Sequence, residues 1–99
     1  MYTLMRSATI APGQGEAALK FANDISSFIN ERYGLSVTVH RGLFSDIGKV
    51  IWIVQYDSLA QYEEMMRATM GDADYQQALQ TSTNLFVAGS ICDQFFLSM

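Results

Sequence analysis

From Lys49 to Tyr56 the chain reads KVIWIVQY, and Val50, Ile51, Trp52, Ile53 and Val54 follow one another without a polar interruption. A strand with one face in water alternates apolar and polar positions, so this run predicts a strand covered on both faces. A chain of 99 residues can lay helices over only one face of a small sheet. The other face is therefore expected to meet a second copy of the chain.

The remaining pattern supplies the elements around that strand. Tyr2 to Ile10 carries Tyr, Leu, Met, Thr and Ile and ends at Ala11-Pro12-Gly13, which predicts a first strand closed by a breaker. From Glu16 to Arg32, Ala18, Phe21, Ala22, Ile25, Phe28 and Ile29 recur at helical spacing, and Gly34 is placed to stop the helix. Ser36 to Phe44 alternates through Val37, Val39 and Leu43, and Ser45-Asp46-Ile47-Gly48 has the composition of a turn before the KVIWIVQY strand. These two strands are expected to form a hairpin. Ser58-Leu59-Ala60-Gln61 matches a capping box and opens a helix with Leu59, Tyr62, Met65, Met66 and Met70 on one stripe. Gly71-Asp72-Ala73-Asp74 interrupts that stripe and predicts a further helix carrying Tyr75, Ala78, Leu79 and Phe86, before a last strand from Ser90 to Leu97.

The order is strand, helix, strand, strand, helix, strand over a single domain, residues 1–99. With right-handed crossovers this predicts an α+β fold of ferredoxin-like βαββαβ type, with a four-stranded antiparallel sheet, the first and third strands central, and helices on one face. Pairing Phe44 with Lys49 across the turn predicts Arg41 opposite Trp52. The side under the helices then carries Val37, Val39, Leu43, Val50, Val54 and Tyr56, and the other carries Thr38, His40, Gly42, Phe44, Ile51, Ile53 and Gln55. A bulge at Gly42 would reverse part of this assignment.

The charge balance changes the list of partners. Six Lys and Arg against ten Asp and Glu give a net charge of -4, and the basic residues are scattered along the chain, which argues against nucleic acid and anionic membranes. Cys92 is the only cysteine, so no internal disulfide and no Cys/His metal cluster can form. With no signal-like N-terminus and no apolar stretch of spanning length, the reading is a soluble, unprocessed chain in a reducing cytosol, without metal or cofactor.

Size, element order and the succession of an apolar third strand, Tyr56-Asp57-Ser58-Leu59, and a helix with Tyr62 and Arg67 resemble the dimeric alpha-plus-beta barrel superfamily. That superfamily includes NIPSNAP-like proteins, antibiotic-biosynthesis-type monooxygenases, haem-degrading monooxygenases and stress-responsive barrel proteins. The resemblance implies two sheets packed face to face as a homodimer and a ligand cleft between each sheet and its own helices. In the haem-degrading members a histidine of the second helical region holds haem, and Ser58 to Val87 contains none. The polar set of the cofactor-free monooxygenases, an Asn and a Trp with a Tyr or Arg, is not reproduced at matching spacing, since Asn23, Asn30 and Asn84 fall on predicted helices.

Candidate ligand-binding residues follow from the predicted faces. Arg41 on an apolar face needs an acceptor or an aromatic partner; it either pairs with Trp52 or Glu63, or anchors an anionic or carbonyl group of a ligand. Trp52, Tyr56, Tyr62 and Met66 are either core or the wall of an aromatic pocket, methionine suiting both. His40 is the sole histidine and the natural acid/base candidate, but its place on an edge strand equally suits an interface. No phosphate loop, GxSxG serine or catalytic triad is present. The expectation is a homodimer that binds a small apolar or aromatic molecule. The alternatives are a cofactor-independent monooxygenase and a structural or regulatory dimer without a ligand.

Overall fold

A computed structural model describes residues 1–44 and 47–99; the expected turn residues Ser45 and Asp46 lie outside the described residues. The elements are β1 (Tyr2–Thr9), α1 (Gly15–Tyr33), β2 (Thr38–Arg41), β3 (Lys49–Tyr56), α2 (Leu59–Met70), α3 (Ala73–Thr81) and β4 (Cys92–Leu97). The sheet runs β2-β3-β1-β4 with antiparallel neighbours, so β1 and β3 are central as the order of elements predicted. The architecture is ferredoxin-like, with the helices on one face of the sheet. No helix of the described residues is long and apolar enough to cross a membrane.

The ladder separates two faces. Tyr2, Leu4, Arg6 and Ala8 of β1 stand opposite Tyr56, Val54, Trp52 and Val50 of β3 and face the helices. Thr3, Met5, Ser7, Ile51, Ile53 and Gln55 point the other way, continued on β4 by Cys92, Gln94 and Phe96. Val50 is fully buried and Val54 and Tyr56 nearly so, whereas Ile51 and Ile53 stay partly exposed. The uninterrupted apolar run thus has a covered side and an apolar side without a layer over it.

Three local corrections have physical reasons. The hairpin pairs Val39 with Trp52 and Arg41 with Val50, and Gly42 N–H donates to the Lys49 carbonyl at 3.0 Å, so Phe44 is not opposite Lys49 and Arg41 is not opposite Trp52. The slip is two residues, which leaves every side chain on its expected face, so the hydrophobic pattern could not detect it. Phe44 itself sits in the left-handed region at φ 58°, a conformation incompatible with continuing β2. The second correction concerns Phe86, which lies beyond α3 in an extended segment: Ala11 N–H donates to Leu85 O (2.9 Å) and Val87 N–H to Thr9 O (2.8 Å). Asn84 likewise lies past the end of α3. The third lies at the start of α2, where Ser58 Oγ accepts from Gln61 N–H at 3.1 Å, but the Gln61 side chain accepts from Asp57 N–H rather than from Ser58.

Packing differs along the helical layer. Ala18 and Ala22 of α1 are fully buried, and with Ala8 and Val50 beneath them they let the helix backbone approach the sheet closely. Asn30 secures the exit from α1 by donating to Val37 O (3.1 Å) and accepting from Val37 N–H (2.7 Å). Asp72 caps α3 by accepting from the N–H groups of Asp74 and Tyr75, and also accepts from Arg32 and from the Tyr33 hydroxyl. These contacts join the C-terminal end of α1 to the start of α3. By contrast no residue of α2 is buried. The helix stands off the sheet, and a hollow lies beneath it.

Candidate functional site

The hollow is a cavity of ≈ 360 Å³ between the helix-facing side of the sheet and the three helices. Its floor is Leu4, Arg6 and Ala8 of β1 with Trp52, Val54 and Tyr56 of β3; Tyr62 and Met66 of α2 and Tyr75 of α3 roof it, and Phe21 and Ile25 of α1 close one side. Large aromatic side chains hold it open by packing on one another instead of collapsing inward. Tyr62 meets Tyr56 edge-on at 5.5 Å between ring centres and tilts over Phe95 at 4.8 Å. Trp52 meets Phe86 edge-on at 6.0 Å, which is what the extended segment after α3 contributes. The indole N–H of Trp52 reaches the Ala22 carbonyl at 3.4 Å.

Arg6 is the only charged residue among those lining the cavity. It stands in the middle of β1 between Trp52 on β3 and Asp93 on β4. Asp93 grips one edge of the guanidinium, accepting from Nε at 2.7 Å and from Nη2 at 2.8 Å. These bonds hold the Arg6 pKa above its ordinary value and the Asp93 carboxyl below the usual carboxylate range. Burial, with Tyr62 as a neighbour, raises the Tyr56 hydroxyl, so it is a proton donor at neutral pH.

The hydroxyls of Tyr56 and Tyr75 make no hydrogen bond to protein among the described residues, although these residues are only 6% and 9% exposed. Neither is a sealed, unsatisfied polar atom. Both residues line the cavity. The arrangement is an apolar, aromatic chamber whose lining includes one cation and the phenols of Tyr56, Tyr62 and Tyr75. Among the described residues no group of three or more His, Cys, Asp or Glu is placed to hold a metal.

No protein-family model matches the chain, and no curated protein matches it. Solved structures do. An uncharacterised NIPSNAP-domain protein from Burkholderia xenovorans superposes with a TM-score of 0.85 at 16% identity, over 100% of this chain and 95% of that one. A NIPSNAP-family protein of unknown function from Agrobacterium tumefaciens gives 0.79 at 19% identity, over 97% and 86%. This chain shares their ferredoxin-like α+β fold. A protein from Deinococcus radiodurans, whose name groups it with the antibiotic-biosynthesis monooxygenases, shares it with a TM-score of 0.74 at 13% identity, over 100% and 93%.

Within this fold the residues singled out from sequence divide. Trp52, Tyr56, Tyr62 and Met66 come together on the cavity wall. Arg41 does not join them: paired with Val50 at the end of β2, it is exposed and outside the lining. His40 is exposed on the sheet face away from the helices, its Nε2 2.8 Å from Thr38 Oγ1. Arg6, Tyr75 and Asp93 were missed. Arg6 had a signal, a lone cation inside a strand of otherwise uncharged residues; Asp93 and Tyr75 are distant in sequence and meet it only through strand order and helix placement.

Proposed function

We propose that this protein is a homodimeric small-molecule-binding α+β barrel protein, its ligand a largely apolar or aromatic molecule held in the cavity over Trp52 and Tyr56. The observation that carries this reading is the cavity itself: aromatic rings line it beneath a helix with no buried residue, and one guanidinium and three phenols are among its lining residues. A hollow of this size with convergent polar groups fits a ligand of a few fused or substituted rings. The dimer rests on the uncovered face, where Met5, Ile51, Ile53 and Phe96 form an apolar surface. Native mass spectrometry of gently purified protein tests both parts. A dimer retaining a discrete small molecule is expected. A monomer overturns the assembly; no retained molecule, together with no response of Trp52 fluorescence to a set of aromatic fragments, overturns the ligand reading.

A second reading is cofactor-independent oxygenation of a quinol-like molecule. It is favoured by the guanidinium and phenols beside the aromatic chamber, which suit a phenolate that reacts directly with oxygen. One oxygen atom would enter the ring and the other leave as water, the substrate supplying all four electrons. Oxygen uptake with quinol-like substrates that falls in Trp52→Ala would support this reading, and no uptake would remove it.

A further inference from the structure

We propose that the ligand carries an anionic oxygen group, a carboxylate or an ionised phenol or enol, and that Arg6 is its anchor. This inference rests on the cavity being a small-molecule site and narrows what that molecule is. Asp93 occupies the Nε and Nη2 edge of Arg6, so two of the five N–H donors of a guanidinium are used. The Nη1 side and the second Nη2 N–H have no protein acceptor among the described residues, and together they form the fork that takes a carboxylate end-on. No Asp or Glu is among the lining residues, so the cavity wall carries one positive charge and no negative one. Tyr56 on the floor and Tyr75 in the roof add two further phenols to the cavity lining.

The side-on grip of Asp93 does not cancel this role; it fixes the guanidinium plane, leaving the fork pre-set for a second acceptor. Leu4, Ala8 and Val54 keep the floor around Arg6 apolar, while the Arg6 side chain itself stays 36% exposed and so accessible to an acceptor. A bulky neutral ligand would fill the same volume but leave the fork unused. The ligand class is thus an apolar body of a few rings with one anionic end.

The test compares 4-tert-butylbenzoate with 4-tert-butylbenzyl alcohol, two probes with the same apolar body, by isothermal titration calorimetry at one ionic strength. The benzoate is expected to bind at least about tenfold more tightly, the effect of one charge-assisted hydrogen bond. Arg6→Gln should abolish that preference, and Arg6→Lys, which keeps the charge but loses the fork, should retain part of it. Lys20→Gln, which removes the same charge from an exposed helical site, should leave the preference intact. Circular dichroism establishes that each variant is folded, and Arg6→Lys carries the test if Arg6→Gln is not. Equal affinities for the two probes, or a preference that survives in both Arg6 variants, would overturn this inference and leave the cavity reading standing. Binding of neither probe, with no molecule retained in native mass spectrometry, would overturn the cavity reading beneath it.

Discussion

Replacing Ile53 with aspartate tests whether the uncovered face of the third strand is a dimer interface. Ile53 pairs with Met5 on β1 and Thr38 on β2, on the sheet face away from the helices, and is partly exposed in the single chain. Burying the rest of an isoleucine against a partner contributes about 1–2 kcal/mol, below the value for burial from full exposure. A two-fold interface uses the same residue twice, so its loss costs about 2–4 kcal/mol of association. That corresponds to about a 30- to 1,000-fold weaker dimer, and two carboxylates facing an apolar surface weaken it further. Sedimentation velocity over a wide dilution series reads the dissociation constant. Circular dichroism of the variant should match the parent, because the helix-facing core of Ala8, Ala18, Ala22 and Val50 does not include Ile53. An unchanged dissociation constant, or a parent chain that is monomeric throughout, would refute the reasoning.

The helix-facing side has its own tests. Val50→Ala removes two methyl groups from a fully buried site, about 1.6 kcal/mol of transfer free energy plus a cavity term, and should lower stability by about 2–3 kcal/mol in urea unfolding; a loss under about 0.5 kcal/mol would mean that α1 does not seal this position. Trp52→Ala removes the Ala22 hydrogen bond and the Phe86 contact but leaves a site already bordering a cavity, so about 2–4 kcal/mol is expected, and less than about 1 kcal/mol would mean that the indole is not part of the packed layer. The Tyr33 hydroxyl, with Arg32 and the Tyr75 N–H, holds the Asp72 carboxyl below its ordinary range. In the window between the folded and unfolded values the unfolded chain binds the extra proton. The stabilisation is therefore complete above the ordinary carboxylate range and disappears as pH falls through the lowered value. Asp72→Asn should flatten this acid limb of stability against pH, and an unaltered limb would show that the α1–α3 junction does not depend on that charge.

Much of the architecture was legible because local periodicity reports it directly. The span Lys49 to Tyr56 coincides with β3, α1 differs from its expected bounds by one residue at each end, and Gly34 caps it in the left-handed conformation at φ 68°. Element order then left few chain paths, and the central positions of β1 and β3 followed. Trp52, Tyr56, Tyr62 and Met66 could be grouped because strand alternation and helical spacing place side chains on faces without knowledge of partners. The aromatic wall of the cavity was accessible in that way.

What pattern alone could not determine involves distance between elements. The β2–β3 register slipped by two because such a slip preserves every face, and with it Arg41 moved from the expected position opposite Trp52 to the exposed end of β2. Phe86 was read into a helix by spacing, yet backbone pairing with the end of β1 places it against Trp52. The cation of the site is Arg6, which depends on β4 returning beside β1 to bring Asp93 within hydrogen-bond reach across a separation of 87 residues. The amino-acid sequence by itself determined which positions are apolar, the order of helices and strands, and which side chains share a face, since these depend on near neighbours along the chain. Tertiary structure alone decided which charge faces the cavity and that a cavity exists, because both depend on how far one element stands from another.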